Sequence, residues 1–291
     1  MNIFLTSCFA GGVLTLLYGM LETKLLSVKE YKINSERVPE SLSGKKIALI
    51  SDIHGISHGK DNSRLFERLK EIEPDYIVIC GDLVNGRGAK ELKFAFRFIR
   101  KIKKLRIPVL YTFGNHEEKL RKHHRKACRR LLRFARKRII LLNNRAYKTA
   151  DGETVFVGLN LPLWMYHGHD TKGIIKKRTD KILSKVNAEN CYKILIAHDP
   201  EHLKEYSESG YDVCLSGHLH GGIIYVPFLG GTVTPRFQIF HKRVRGIHEC
   251  GNMKMVISRG VGWHDVPIRI FNRPEIVVVK FEKEGSGSVQ K

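Results

Sequence analysis

The chain is short of acid. Across 291 residues, 51 Lys and Arg stand against 29 Asp and Glu, a formal charge of +22 at pH 7. Such a balance disfavours cationic partners and favours anionic ones: phosphorylated substrates, acidic lipid head groups or nucleic acid. The six cysteines, Cys8, Cys80, Cys128, Cys191, Cys214 and Cys250, show no paired spacing. Nothing in that spacing argues for a disulfide framework, and a reducing compartment is the simpler reading. Internal repeats are absent too. One large domain with a full core fits the length.

Charge is missing altogether from residues 1–21, and Ile3 to Leu21 is long enough to cross a bilayer as a helix. A secretory signal needs a basic leader and a small-residue cleavage site, and neither is present. Residues 1–22 are thus expected to form an uncleaved transmembrane anchor. No Lys or Arg precedes the segment, whereas Lys24, Lys29, Lys32, Arg37, Lys45 and Lys46 follow it. The positive-inside rule then places the remainder in the cytoplasm. Residues 23–45 read as a linker and a first strand, 46–283 as the main domain, and 284–291 as a flexible tail containing Gly285-Ser286-Gly287-Ser288.

Within the main domain, five apolar, β-branched runs each end in a polar cluster. Lys46–Ile50 leads into Ser51-Asp52-Ile53-His54, and Tyr76–Cys80 into Gly81-Asp82. Pro108–Tyr111 leads to Gly114-Asn115-His116-Glu117, and Lys193–Ala197 into His198-Asp199-Pro200. Tyr211–Leu215 leads into Ser216-Gly217-His218-Leu219-His220-Gly221-Gly222. In sheets with helical crossovers, sites form at the carboxyl ends of strands, so five such ends can converge. In extended backbone His218 and His220 point the same way, and neutral imidazole is the commonest protein ligand for transition metals. Singly, each residue has an ordinary reading: a turn cap for Asp52 or Asp82, a core histidine for His198, a polar loop around His218.

Between these runs, helical spacing marks Ser63–Glu73, about Lys90–Leu105 and Thr171–Val186. Another helix is expected over Lys119–Arg138, strongly basic and without an acid, with Leu120, Ala127, Leu131, Leu132 and Phe134 on one face. A solvated face, an anionic leaflet and nucleic acid are all open as its partner. Ala146–Thr149 and Thr154–Leu159 read as a hairpin around Asp151-Gly152. Alternation of strands and helices argues an α/β fold.

The ordered set DxH, GD, GNHE, a lone His and GHLH resembles the calcineurin-like metallophosphoesterases. Pro227-Phe228-Leu229-Gly230, Ser258-Arg259-Gly260-Val261-Gly262 and Arg269-Ile270-Phe271-Asn272-Arg273-Pro274-Glu275 resemble a bacterial, often membrane-associated branch with enzymes similar to UDP-2,3-diacylglucosamine pyrophosphatase. The resemblance implies two mixed sheets face to face, flanked by helices in four layers, with metals at one edge. It implies Asp52, His54, Asp82 and His220 around one divalent cation, and Asp82, Asn115, His198 and His218 around another. Two cations bridged by a carboxylate, ~3.5–4 Å apart, can hold a phosphate and activate water. Mixed oxygen and nitrogen ligands suit Mn, Fe or Zn, with Mn favoured.

His116 matches a histidine that protonates the leaving group or steadies phosphate oxygens. Many members carry an Asp three residues after the GD aspartate to pair with it. Here that position is Asn85, which can orient an imidazole but cannot raise its pKa as a carboxylate would. Arg87, Arg259, Trp263 and His264 are the candidate substrate contacts. The expected activity is hydrolysis of a phosphodiester or pyrophosphate in a lipid-linked or nucleotide-containing substrate. The alternatives are a nuclease or cyclic-nucleotide phosphodiesterase, which would leave the anchor unexplained, and a non-catalytic membrane scaffold, which would not need a complete ligand set.

Overall fold

The computed structural model describes residues 2–168, 171–232, 234, 238–263 and 266–285, with side chains described from residue 7 onward. His264 and residues 286–291 of the expected tail lie outside this set. Strand alternation builds the core. In β1 (Ser27–Ser35), β2 (Lys46–Ile50) and, beyond helices α1 (Asn2–Glu22) and α2 (Ser63–Ile72), β3 (Tyr76–Cys80), successive side chains point to opposite faces. Ile47, Leu49, Val78 and Cys80 enter one apolar cluster; Ala48, Ile50, Ile77 and Ile79 enter another.

The chain continues through α3 (Leu92–Lys103), β4 (Val109–Thr112), α4 (Asn115–His123), α5 (Arg125–Arg136), β5 (Ile140–Leu141), β6 (Arg145–Lys148) and β7 (Thr154–Leu159). After α6 (Ile174–Leu183), β8 (Tyr192–Ala197), α7 (Leu203–Glu208) and β9 (Val213–Ser216) come β10 (Tyr225–Val226), β11 (Gly230–Gly231), β12 (Gly246–Cys250), β13 (Met253–Ile257) and β14 (Glu275–Lys283). One six-stranded sheet has the order β1-β14-β2-β3-β4-β5 and the other β12-β13-β9-β8-β7-β6. Both are mixed: β2 to β5 run parallel with β14 antiparallel beside β2, and β7, β8, β9 and β13 run parallel between antiparallel β6 and β12.

The cluster between the sheets joins Leu49, Val78 and Leu110 to Phe156, Ile194, Ile196, Leu215 and Val256. Outside it, one cluster packs α2, α3 and α5 on the first sheet, and another packs α6 and α7 on the second. The α/β reading with mixed sheets flanked by helices therefore holds. Each fully buried Leu, Ile or Val contributes about 1.5–3 kcal/mol relative to exposure. At one crossing, a Cβ on Gly158 of β7 would collide with the Leu142 backbone, so glycine is required there.

One expectation needs correction. The basic stretch 119–138 is not one helix: α4 starts at Asn115 and the chain leaves helical geometry at His124, with φ −134° and ψ 55°. The helical spacing spans both pieces because each buries its own stripe, Leu120 on α4 and Ala127, Cys128, Leu131 and Ala135 on α5. No helix among the described residues is long and apolar enough to cross a membrane. The expected anchor at 1–22 falls partly on side chains outside the described set. In its described part Phe9, Leu14, Leu16, Leu17 and Leu21 are all more than half exposed.

Candidate metal centre

The carboxyl ends of β2, β3, β4, β8 and β9 meet at one edge of the sandwich, as the parallel pairings require. Their loops bring Asp52, His54, Asp82, Asn115, His116, His198, His218 and His220 together, every one of them buried. Asp52, His54, Asp82, His218 and His220 have φ of 53°, 50°, 54°, 72° and 53°. The left-handed region costs an ordinary residue about 1–2 kcal/mol. Strain at five neighbouring side chains of one site is typical of positions where function overrides local preference.

Asp52 Oδ1 lies 3.4 Å from His220 Nε2, 3.6 Å from His198 Nε2 and 4.0 Å from His54 Nε2. Asp82 Oδ2 lies 3.0 Å from His198 Nε2, 3.8 Å from His54 Nε2 and 3.9 Å from His116 Nε2. The Nε2 atoms of His54 and His220 are 3.2 Å apart. Each carboxylate is aimed by a backbone amide: His218 N–H donates to Asp52 at 3.1 Å and His116 N–H to Asp82 Oδ1 at 2.9 Å. Nδ1 of His198 lies 2.7 Å from the Cys80 carbonyl and Nδ1 of His116 lies 2.7 Å from the Asn85 carbonyl. Donation to a carbonyl from Nδ1 leaves the Nε2 lone pair facing the cluster, as in metal-ligating histidines.

Two observations fit cations here. The buried Asn115 Oδ1, next in sequence to His116, has no hydrogen-bond partner and is an oxygen available as a ligand. The groups Asp52–His54–His220 and Asp82–His198–His218 each place three ligand atoms within 4.8 Å of one another. Backbone glycines make this packing feasible, since a Cβ on Gly217 would come within 2.6 Å of Asp52 Oδ2 and one on Gly114 would strike Asp82 Oδ1. These clusters fit the dinuclear divalent-metal centre that the motif resemblance implies.

The electrostatics agree. Burial pushes the Asp52 carboxyl up; His198 pulls against that shift and the Asp82 charge reinforces it. Burial also works against the Asp82 charge, yet His198, His116 and His54 outweigh it and hold this carboxyl well below the usual range. Cations compete with protons for such a set of groups.

The other expected contacts are dispersed. Arg259 spends its guanidinium on buried Glu275, donating from Nε at 2.7 Å, with only 13% of its side chain exposed. That pairing engages the guanidinium expected to contact substrate. Arg87 is exposed on the loop after β3, where its N–H bonds Glu91 at 3.2 Å. Trp263 is half-buried beside Gly262, whose N–H bonds the Asp52 carbonyl at 2.8 Å. Four residues of the site were not expected. Glu117 caps the Asp82 loop. Arg269 and Asn272 bond the His220 carbonyl, at 3.3 and 2.7 Å. Tyr166 packs edge-on against His218 at 5.1 Å. Glu117, Arg269 and Asn272 stand inside motifs legible in the sequence, whereas nothing local marks Tyr166.

A metallophosphoesterase of Aquifex aeolicus described as uncharacterized is 30% identical over 278 residues, 92% of this chain and 97% of its own length. A transmembrane protein with a metallophosphoesterase domain from Danio rerio is 26% identical over 275 residues, 86% of this chain and 56% of its own length. The crystal structure of TT1561 from Thermus thermophilus superposes with a TM-score of 0.50 at 10% identity, covering 75% of this chain and 91% of that one, a likeness of fold. The calcineurin-like phosphoesterase family model matches residues 45–222, the span that runs from just before Asp52 to the end of the His218–Gly222 turn. The chain accordingly belongs to the calcineurin-like phosphoesterases and is a metal-dependent phosphoester hydrolase.

Proposed function

We propose that this protein is a membrane-associated phosphodiesterase or pyrophosphatase acting on an amphiphilic substrate, one whose phosphate is linked to a lipid or to an acylated sugar nucleotide. The convergence of Asp52 and Asp82 with the imidazoles of His54, His198, His218 and His220 carries the hydrolase part. The membrane part is supported by the exposed apolar surface of α1 and by relatives named as transmembrane proteins.

In this reading Asp52, His54, Asp82 and His220 hold one ion, and Asp82, Asn115, His198 and His218 the other, with Mn²⁺ the favoured metal. The ions would neutralise phosphate charge and lower the pKa of a water. The chain's own residues orient and donate. His116, its Nδ1 fixed on the Asn85 carbonyl, presents Nε2 toward Asp82 and the reacting phosphate, where it can protonate the leaving oxygen. Arg87, exposed on the loop after β3, and Trp263, half-buried next to Gly262, are the residues proposed to contact the rest of the substrate.

The test is hydrolysis by full-length protein in mixed micelles with Mn²⁺. It compares a diacyl sugar nucleotide, a soluble aryl phosphodiester, a cyclic nucleotide and single-stranded nucleic acid. Preference for the acylated substrate supports the proposal. Preference for a cyclic nucleotide or nucleic acid replaces it with the corresponding nucleotide-directed activity.

A further inference from the structure

We infer that the loops framing the His220 turn form a second membrane-contacting surface, one that seats the mouth of the metal centre in the head-group layer of a bilayer. The inference deepens the membrane reading above and rests on it.

Large apolar side chains that folding leaves outside cluster in two neighbouring loops. Phe228 is 97% exposed, Ile239 70%, Phe271 64%, Leu229 50% and Val266 49%. Singly exposed apolar residues are ordinary, but a rimmed cluster marks an interaction surface. Backbone contacts join the two loops: Ile224 bridges Ile270, and Tyr225 N–H bonds the Ile270 carbonyl at 3.0 Å. The same loops hold the site, because Arg269 and Asn272 both donate to the His220 carbonyl.

Two features select a bilayer as the occupant. The first is continuity with α1. Arg269 N–H donates to the Gly19 carbonyl at 3.1 Å, the rings of Tyr18 and Phe271 lie 6.0 Å apart, and Asn272 N–H donates to buried Glu22 at 3.2 Å. The apolar surface of the helix therefore runs directly into that of the loops. The second is charge. No acid occurs between Asp212 and Glu249, while Lys242 and Arg243 are exposed there; in the second loop, whose sequence holds Asp265, Arg273 is exposed beside Phe271 and lies 3.8 Å from Glu22. Apolar tips backed by cations suit insertion at an anionic interface.

The experiment uses full-length protein in vesicles of phosphatidylcholine and phosphatidylglycerol in which a share of the lipid carries brominated chains. Phe228→Trp and Phe271→Trp should each show bromine quenching, as should Phe9→Trp on α1, whereas Tyr147→Trp on β6 should not. Phe228→Asp with Phe271→Asp should also lower turnover of a vesicle-embedded acylated substrate by about tenfold, and leave kcat/KM for a soluble aryl phosphodiester unchanged. Quenching at Phe9→Trp without quenching at Phe228→Trp or Phe271→Trp would overturn the inference while leaving the anchor intact. Absence of quenching at all three positions overturns both. Loss of quenching together with a concentration-dependent dimer in detergent assigns the surface to a second copy of the chain instead.

Discussion

Glu117 holds Asp82 through its main chain: Glu117 Oε2 accepts the Asp82 N–H at 2.9 Å. The same carboxylate accepts the amides of Gly114, Leu83 and Val84, so one buried side chain ties the start of α4 to the loop after β3. Glu117→Gln would point a donor at backbone donors. It should cost about 1–3 kcal/mol of stability and weaken metal binding by about 10–100-fold. Chemical denaturation and calorimetric titration with Mn²⁺ measure the two effects. Unchanged metal affinity would show that the loop keeps its shape without the cap.

Purified protein should contain about two transition-metal ions per chain, the complement of a shared-carboxylate centre. Asp82→Asn should lose metal and activity together, because Asp82 Oδ2 faces His54, His116 and His198. Elemental analysis decides the matter; full activity after exhaustive chelation would refute the metal assignment.

His116→Ala should lower kcat with metal content intact, and lower it less for a substrate with a good leaving group, since a weakly basic leaving oxygen needs little protonation. Equal losses for good and poor leaving groups would mean that His116 steadies phosphate oxygens. The orienting atom is the Asn85 carbonyl, while the Asn85 side chain donates to the His54 carbonyl at 2.7 Å. Asn85→Ala should therefore keep the imidazole tautomer, visible in nitrogen-15 NMR of the His116 ring. A change of tautomer would assign the orienting role to the side chain.

Arg269 is fully buried and donates to the carbonyls of His220, Arg259, Gly260, Gly262 and Asn272; burial lowers its pKa to about 10. Arg269→Met should destabilise the protein by about 3–5 kcal/mol, the loss expected when a buried charged hydrogen-bond network loses one side. Arg269→Lys should recover little, because an ammonium cannot reproduce the planar fork. Urea denaturation of both variants provides the comparison, and recovery by Lys would show that charge alone matters.

On α5, Arg129, Arg130 and Arg133 are exposed. Replacing all three with Ser should reduce salt-sensitive binding of full-length protein to anionic vesicles, each basic residue near the surface contributing about 1 kcal/mol before screening. Identical binding at low salt would make the stretch a solvated face.

The order of motifs from Asp52 to His220 was readable along the chain because metal ligands must be chemically distinctive and must sit at strand ends. The strands β2, β3 and β8 were readable because a strand buried on two faces is a nearly continuous apolar run. The sequence by itself thus determined the fold class, the family and the inventory of donors. What only the tertiary structure decided depends on atoms brought together from afar. The break at His124 contains neither Gly nor Pro, and follows from packing α5 on the first sheet. Arg259 has the sequence context of a substrate clamp, yet Glu275, sixteen positions on, claims it through a 2.7 Å bond. The carbonyl of Asn85 took the role expected of its side chain, a choice that turns on loop path. Tyr166 reached His218 without any local signal. Residue type and spacing report what a side chain can bond; which partner lies within 3 Å is set by the packing of two sheets against each other.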